Sequence, residues 1–312
     1  MKKGLKTGLF IIVGIIVIIG GTLGYKVYSK YNKIKTNEVT LSDEEIGINE
    51  ENKSEKHIFN FLFLGVDKEE NATDTIMIAT IDRDKGELKI SSILRDLYID
   101  MGEGNTPKIN YAHQYGGPVN TVKVINETFN LDIRDYVMVN FEGLVNIVDA
   151  IGGIEIELKE GELSRINGPA SVIAKKMNKK TPKTINSPGK YNLSGSQALS
   201  YARIRKIDSD FERTDRQRTV INEIMKKVKN MSLSELDKFT DIALENVETS
   251  FNFSEIMNVG QEALKLYNKK PKETKIPIEG TYEGHYWDNG AFYFTWDKEK
   301  NVEHLKKFIY EE

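Results

Sequence analysis

Between Ile58 and Leu94 the chain carries three apolar runs separated by short polar stretches, and that spacing constrains the fold more than any other feature. Ile58-Phe-Asn-Phe-Leu-Phe-Leu64 reads as a buried strand ending in Gly65-Val66-Asp67. A polar loop leads to Asp74, and Thr75-Ile-Met-Ile-Ala-Thr-Ile81 reads as a second strand. Asp82-Arg-Asp-Lys-Gly86 forms a turn, and Leu88 to Leu94 is a third strand that stops at Arg95-Asp96. If the three form a meander, the end of the first, the start of the second and the end of the third lie at one edge of the sheet. Asp67, Asp74 and Arg95 then come together. Two carboxylates there point to a hard cation such as magnesium, which prefers oxygen ligands. Taken singly, each Asp also reads as an ordinary turn residue.

A second charged stretch lies further on. Leu193 to Ala202 reads as a short helix with Ser194 as N-cap, followed by Arg203-Ile-Arg205. In an extended segment Arg203 and Arg205 share one side, and two planar guanidiniums aimed at one place suit phosphate oxygens. A helix starting near Ser209 puts Val220, Ile221, Ile224, Met225 and Val228 on its inward face. Asp210, Arg213 and Gln217 fall on that same face, while Glu212, Asp215 and Arg216 project to the opposite, solvent side. Buried Asp, Arg and Gln must meet a ligand or one another, because unpartnered burial costs several kcal/mol. A phosphate clamp satisfies them; so does a structural Arg–Asp network between helices.

The rest of the chain frames these stretches. Lys108-Ile-Asn110 precedes an amphipathic helix from about Pro118 to Phe129, a strand over 135–141, a helix over 142–150 and an alternating strand over 154–158. Residues 159–190 are polar, carry three prolines and read as an irregular surface excursion. Helices at about 232–247 and 253–268 and two or three short strands complete the pattern. The rings of Tyr282, Tyr286, Trp287, Phe292, Tyr293 and Trp296 crowd that end, where they read as packing rather than a sugar site.

Thr7 to Tyr25 is nineteen residues without a charge, long enough to span a bilayer as an uncleaved signal anchor. Residues 1–6 form a short tail before it, and residues 26–56 a polar, flexible spacer leading to a body over 57–312. Lysines on both flanks leave the orientation open. A net charge of −3 argues against a nucleic-acid partner. The lack of cysteine excludes thiolate metal sites, and four histidines in no ligand spacing argue against a His-based one.

From Phe59 onward the chain resembles the LytR–CpsA–Psr family of bacterial cell-envelope proteins. The resemblance rests on Leu64-Gly-Val-Asp67, Thr73-Asp-Thr75, Ser92-Ile-Leu-Arg-Asp96, Lys108-Ile-Asn110 with Gly116-Gly117, and Val148 to Gly153. It continues through Gly195 to Leu199, Tyr201 to Arg205, and Asp210-x-x-Arg213-x-x-x-Gln217. It implies an α/β fold, a three-layer α/β/α sandwich around a central mixed sheet, preceded by one N-terminal transmembrane helix. The N-terminus would be cytoplasmic and the body outside the membrane. It further implies a phosphotransferase that moves an anionic glycopolymer from a polyprenyl-pyrophosphate carrier to a peptidoglycan hydroxyl, assisted by Mg2+ or Mn2+. Asp67 and Asp74 would serve the metal, and Arg95, Arg203, Arg205 and Arg213 would clamp the pyrophosphate. Asp210 and Gln217 would orient that cluster, with Lys108 and Asn110 as further site members. The chain departs from the family pattern at Ala72-Thr73, where an arginine is common, and at Leu94, where proline is usual. A hydrolase working on the same donor, and a membrane-bound transcriptional attenuator, are the alternatives. The six-residue tail is too short to fold or to read DNA.

Overall fold

The computed structural model describes residues 35–36, 42–53, 57–102, 104–204, 210–266 and 269–311. The expected anchor over 7–25 and much of the spacer lie outside the described residues. Among the described residues, no helix is long and apolar enough to cross a membrane. The fold is α/β, with a mixed central sheet and, among the described residues, eight α-helices. The sheet has seven strands in the order β1-β8-β5-β2-β3-β4-β9: β1 Lys35–Thr36, β2 Ile58–Asp67, β3 Ala72–Asp82, β4 Glu87–Ile93, β5 Asp135–Asn140, β8 Val247–Thr249 and β9 Lys272–Ile276.

The chain divides into two compact units. One comprises Thr36–Met138, Thr249–Asn252 and Asn268–Glu312. Its spine is the expected meander, since β2 pairs antiparallel with β3 and β3 with β4, while β9 joins β4 in parallel. Phe61, Leu62, Leu64, Ile76 and Ile78 are fully buried, each contributing about 1.5–3 kcal/mol relative to exposure. Strands covered on both faces read as continuous apolar runs instead of alternating, as β2 and β3 do. The same unit holds α1 (Gly117–Phe129), the aromatic hairpin β10–β11 (Tyr282–Tyr286 and Phe292–Trp296) and α8 (Lys298–Tyr310). Within the hairpin, Trp287 stacks on Tyr293 at 4.3 Å, and Phe292 meets Phe294 edge-on at 4.7 Å.

The other unit comprises Val139–Glu248 and Phe253–Tyr267. It contains α2 (Phe141–Ala150), the hairpin β6–β7 (Ile154–Leu158 and Gly189–Leu193), α3 (Glu160–Lys176) and α4 (Gly195–Ala202). It also holds α5 (Asp210–Lys229), α6 (Leu233–Glu245) and α7 (Phe253–Leu266). Helix α3 overturns the irregular excursion expected over 159–190. Leu163, Ile166, Ala170 and Ala174 form a buried stripe that outweighs Pro169 within the helix. Gly195 lets α4 lie against α2, because a Cβ there would stand 2.2 Å from the Val145 carbonyl oxygen.

Candidate functional site

The edge of the sheet where β2 ends gathers the charges of the first unit. Val66 pairs with Thr73 and Gly65 with Thr75, so Asp74 is the extra residue of a β-bulge. Gly65 permits the tight approach, since a Cβ there would lie 2.9 Å from that of Thr75. On the other side of β3, the β4 register ends with Ile76 opposite Ile93, and Arg95 follows two residues beyond that pair.

The side chains follow the backbone. Arg95 Nη1 donates to Asp74 Oδ1, and Arg95 Nε donates to Asp96 Oδ2 at 3.2 Å. Lys108 Nζ donates to the other oxygen of Asp96 at 2.7 Å and lies 3.3 Å from the Phe292 carbonyl. Asp74, Arg95, Asp96 and Lys108 are all at most 8% exposed, so this alternating chain of charges is buried. A buried chain of this kind holds together only when each charge faces its opposite. The Lys108 ammonium also sits near the rings of Tyr111 and Trp287, at 5.4 and 6.0 Å from their centroids. Asp67, equally buried, accepts the Glu69 amide at 2.9 Å.

Asn110 is anchored at the same edge. Its amide donates to the Arg95 carbonyl at 3.2 Å, and its own carbonyl accepts from Thr73 Oγ1 at 3.3 Å. Its side-chain oxygen is buried and has no hydrogen-bond partner. Nearby, burial, followed by the charge of Glu70, raises the Tyr111 hydroxyl above the usual tyrosine range. Burial lowers the His113 imidazole below the usual histidine range. Among the described residues, no three acidic or histidine side chains gather where a metal ion would sit. Asp67, Asp74 and Asn110 are each buried and carry oxygen donors, the atom type that magnesium prefers.

The second unit carries the other predicted residues. Arg203 caps α4 with φ −100° and ψ 3°, so the chain does not leave that helix extended as expected. Its guanidinium lies over the Phe141 ring at 4.2 Å. Ile204 is buried, and Arg205 lies outside the described residues. Helix α5 begins at Asp210 as expected, although the Asp210 side chain is not among those described. Arg213 and Gln217 are buried, and so are Val220, Ile221, Ile224 and Met225, which places the inward face where the periodicity put it.

Arg216 overturns its expected solvent position. It is 6% exposed, and its Nε donates to Glu162 Oε1 at 2.9 Å. The physical reason is α3: Glu162 sits in its first turn, and its other oxygen accepts the Lys159 amide at 3.0 Å. An acidic side chain thus covers the α5 face that a lone helical projection leaves to water. Arg218 is buried as well, and it donates to Asp215 one turn back. The signal for Glu162 was present in its position three residues after Lys159, ahead of the stripe from Leu163.

The LytR_cpsA_psr family model matches residues 22–309. The polyisoprenyl-teichoic acid–peptidoglycan teichoic acid transferase TagU of Bacillus anthracis is 30% identical, over 94% of this chain and 93% of its own. TagV of Bacillus subtilis (strain 168), a transferase of the same description, is 28% identical over 99% of this chain and 79% of its own. The crystal structure of B. subtilis TagV superposes with a TM-score of 0.61 at 27% identity, covering 83% of this chain and 100% of that one.

Proposed function

We propose, for a chain that belongs to the LytR–CpsA–Psr family, that it is a membrane-anchored phosphotransferase acting outside the cytoplasmic membrane. The donor is a polyprenyl-pyrophosphate-linked anionic glycopolymer, teichoic-acid-like or a capsular or secondary wall polysaccharide, and the acceptor is a peptidoglycan hydroxyl. The observation that carries this reading is the buried chain Asp74–Arg95–Asp96–Lys108 at the sheet edge. Two cations held rigid in a dry setting stabilise charge on phosphoryl oxygens without reorganising, the main source of catalysis in such transfers.

In the step proposed, the acceptor oxygen bonds to the sugar-linked phosphorus and the bridging P–O bond breaks. Polyprenyl phosphate departs and takes up the hydroxyl proton. Arg95 presents a planar fork to the pyrophosphate, and Asp96 fixes the orientation of that fork. Lys108 adds a point charge. Asp67 and Asp74 would hold Mg2+ or Mn2+, with the Asn110 amide oxygen as a further donor. When bound, the ion would neutralise phosphate charge. The assignment of Arg203, Arg205 and Arg213 to pyrophosphate, and of Asp210 and Gln217 to orienting them, rests on the family resemblance. So do the three-layer arrangement, the anchor over 7–25 and the cytoplasmic N-terminus.

The test uses the full chain with a synthetic lipid-pyrophosphoryl sugar and a peptidoglycan oligomer. Transfer releases lipid monophosphate and leaves the glycan joined to the acceptor through a phosphodiester. Arg95→Lys, which loses the fork but keeps the charge, should cut transfer roughly ten- to hundred-fold. Lipid monophosphate without any joined product would establish a hydrolase instead.

A further inference from the structure

Beside the buried charges the first unit contains a groove of about 820 Å3 that the proposed chemistry does not use. Its walls include Tyr98, Asp100, Tyr115, Asn120, Lys123 and Trp296. We infer that this groove binds the sugar chain of the acceptor, a neutral oligosaccharide. The inference rests on the transferase reading and adds to it a place for the second substrate.

The exposed rings come first. Among the described residues only five large apolar or aromatic side chains are exposed, and two of them, Tyr98 at 40% and Tyr115 at 38%, line this groove. Tyrosine offers a flat apolar face with a polar rim, which matches the apolar face and equatorial hydroxyls of a pyranose. Both rings are held in place. Tyr98 lies against Tyr293 at 5.8 Å, and the Tyr115 hydroxyl accepts the Thr106 amide at 2.6 Å. Trp296 forms the floor, its Nε1 donating to the Tyr98 carbonyl at 2.9 Å and its ring packed on Phe129 at 5.5 Å.

Charge selects the ligand. The groove's acidic residues, Asp100 and Glu127, are matched by Lys123 and Lys298, so it carries no net charge. A polyanionic glycopolymer would meet as much repulsion as attraction there, whereas an uncharged sugar chain meets hydrogen-bonding groups of both kinds. The volume falls in the range that encloses a ligand of several rings.

Continuity ties the groove to the charges. Tyr98 follows Arg95 and Asp96 by three and two residues, and it bridges backbone to backbone with Lys108. Asp96 accepts the Phe294 amide at 2.8 Å, and Tyr98 donates to the Phe294 carbonyl at 2.8 Å. One continuous segment therefore presents the phosphate-facing cations at one end and the sugar-facing ring at the other.

Trp287 and Trp296 are the chain's two tryptophans. In full-length Trp287→Phe protein the emission of Trp296 alone reports the groove. Chitotetraose and cellotetraose, both uncharged, should shift that emission saturably, while poly(glycerol phosphate) should not. Tyr98→Ala should weaken chitotetraose about tenfold. It should raise the acceptor KM by a similar factor and leave kcat unchanged. Saturable binding of poly(glycerol phosphate) but not chitotetraose would overturn the inference in favour of a donor site, and an unchanged emission with both sugars would overturn it outright. If chitotetraose binds yet no glycan is ever transferred, the groove stands and the transferase reading falls. If transfer proceeds and Tyr98→Ala alters neither binding nor KM, the reverse holds.

Discussion

At the sheet edge, Asp74, Arg95, Asp96 and Lys108 find one another across separations of 21, 1 and 12 residues, along strands whose register is already set. On α5, Arg216 reaches its carboxylate 54 positions away, on a helix with a capping arrangement of its own. Both are buried ionic arrangements of similar exposure, yet they are assembled differently. The first starts from the pairing of β3 with β4 and is completed by Lys108, which also reaches the Phe292 carbonyl. The second exists only after α3 has formed and packed, so it reports on tertiary structure.

The largest effect expected of this contrast is at Asp96. Asp96→Ala removes the carboxylate shared by Arg95 and Lys108 and should cost about 3–5 kcal/mol in urea unfolding, as removing one partner of a buried pair does. A loss below that of Glu162→Gln would break the ranking of the two regions. Glu162→Gln should itself cost about 3 kcal/mol, because Arg216 stays buried beside a neutral amide. Combining Glu162→Leu with Arg216→Met should bring stability back close to the parent, and a double-mutant cycle measures the coupling.

Activity sharpens the comparison within α5. Arg213→Lys should fold and lose roughly 1.5–3 kcal/mol of interaction with a charged ligand, read as a ten- to hundred-fold fall in transfer. Arg216→Lys should instead lower the unfolding midpoint, with kcat nearly kept in the folded fraction. Equal transfer by both variants would remove Arg213 from the ligand's contacts.

The smallest effect is a pH dependence in the first unit. Burial lowers His113 in the folded chain, whose Nδ1 is buried without a hydrogen-bond partner, while the unfolded chain takes up a proton near pH 6.5. The unfolded state then binds more protons, so stability falls as pH drops below about 6.5, by at most about 1.4 kcal/mol per pH unit. In His113→Phe this part of the slope should vanish, and an unchanged slope would assign it to other groups.

What the sequence disclosed follows the same division. The meander, the edge where Asp74 meets Arg95, and most of the helices could be read from apolar period and turn residues, because both act locally. The bulge that singles out Asp74 could not, since Thr73 and Thr75 look alike as strand residues. Arg216 was misplaced because a helical projection knows one helix, and the covering carboxylate came from a stretch whose prolines and charges masked a four-residue apolar stripe. Arg203 was expected in an extended segment, yet the turn ending α4 lays it over Phe141. An aromatic ring met only through folding is invisible to spacing.

The extra residue at Asp74 also determines which changes of length the chain can tolerate. Asp74 meets Arg95 through its side chain just beyond the end of β4, while its neighbours Thr73 and Thr75 pair with β2. A residue gained or lost in the turn over 68–71 lies outside the β3–β4 register, which starts at Ile76. A single insertion inside β4 would carry Arg95 one step along and turn it to the opposite face of the sheet. The strand β4 therefore acts as a ruler whose count has to be kept.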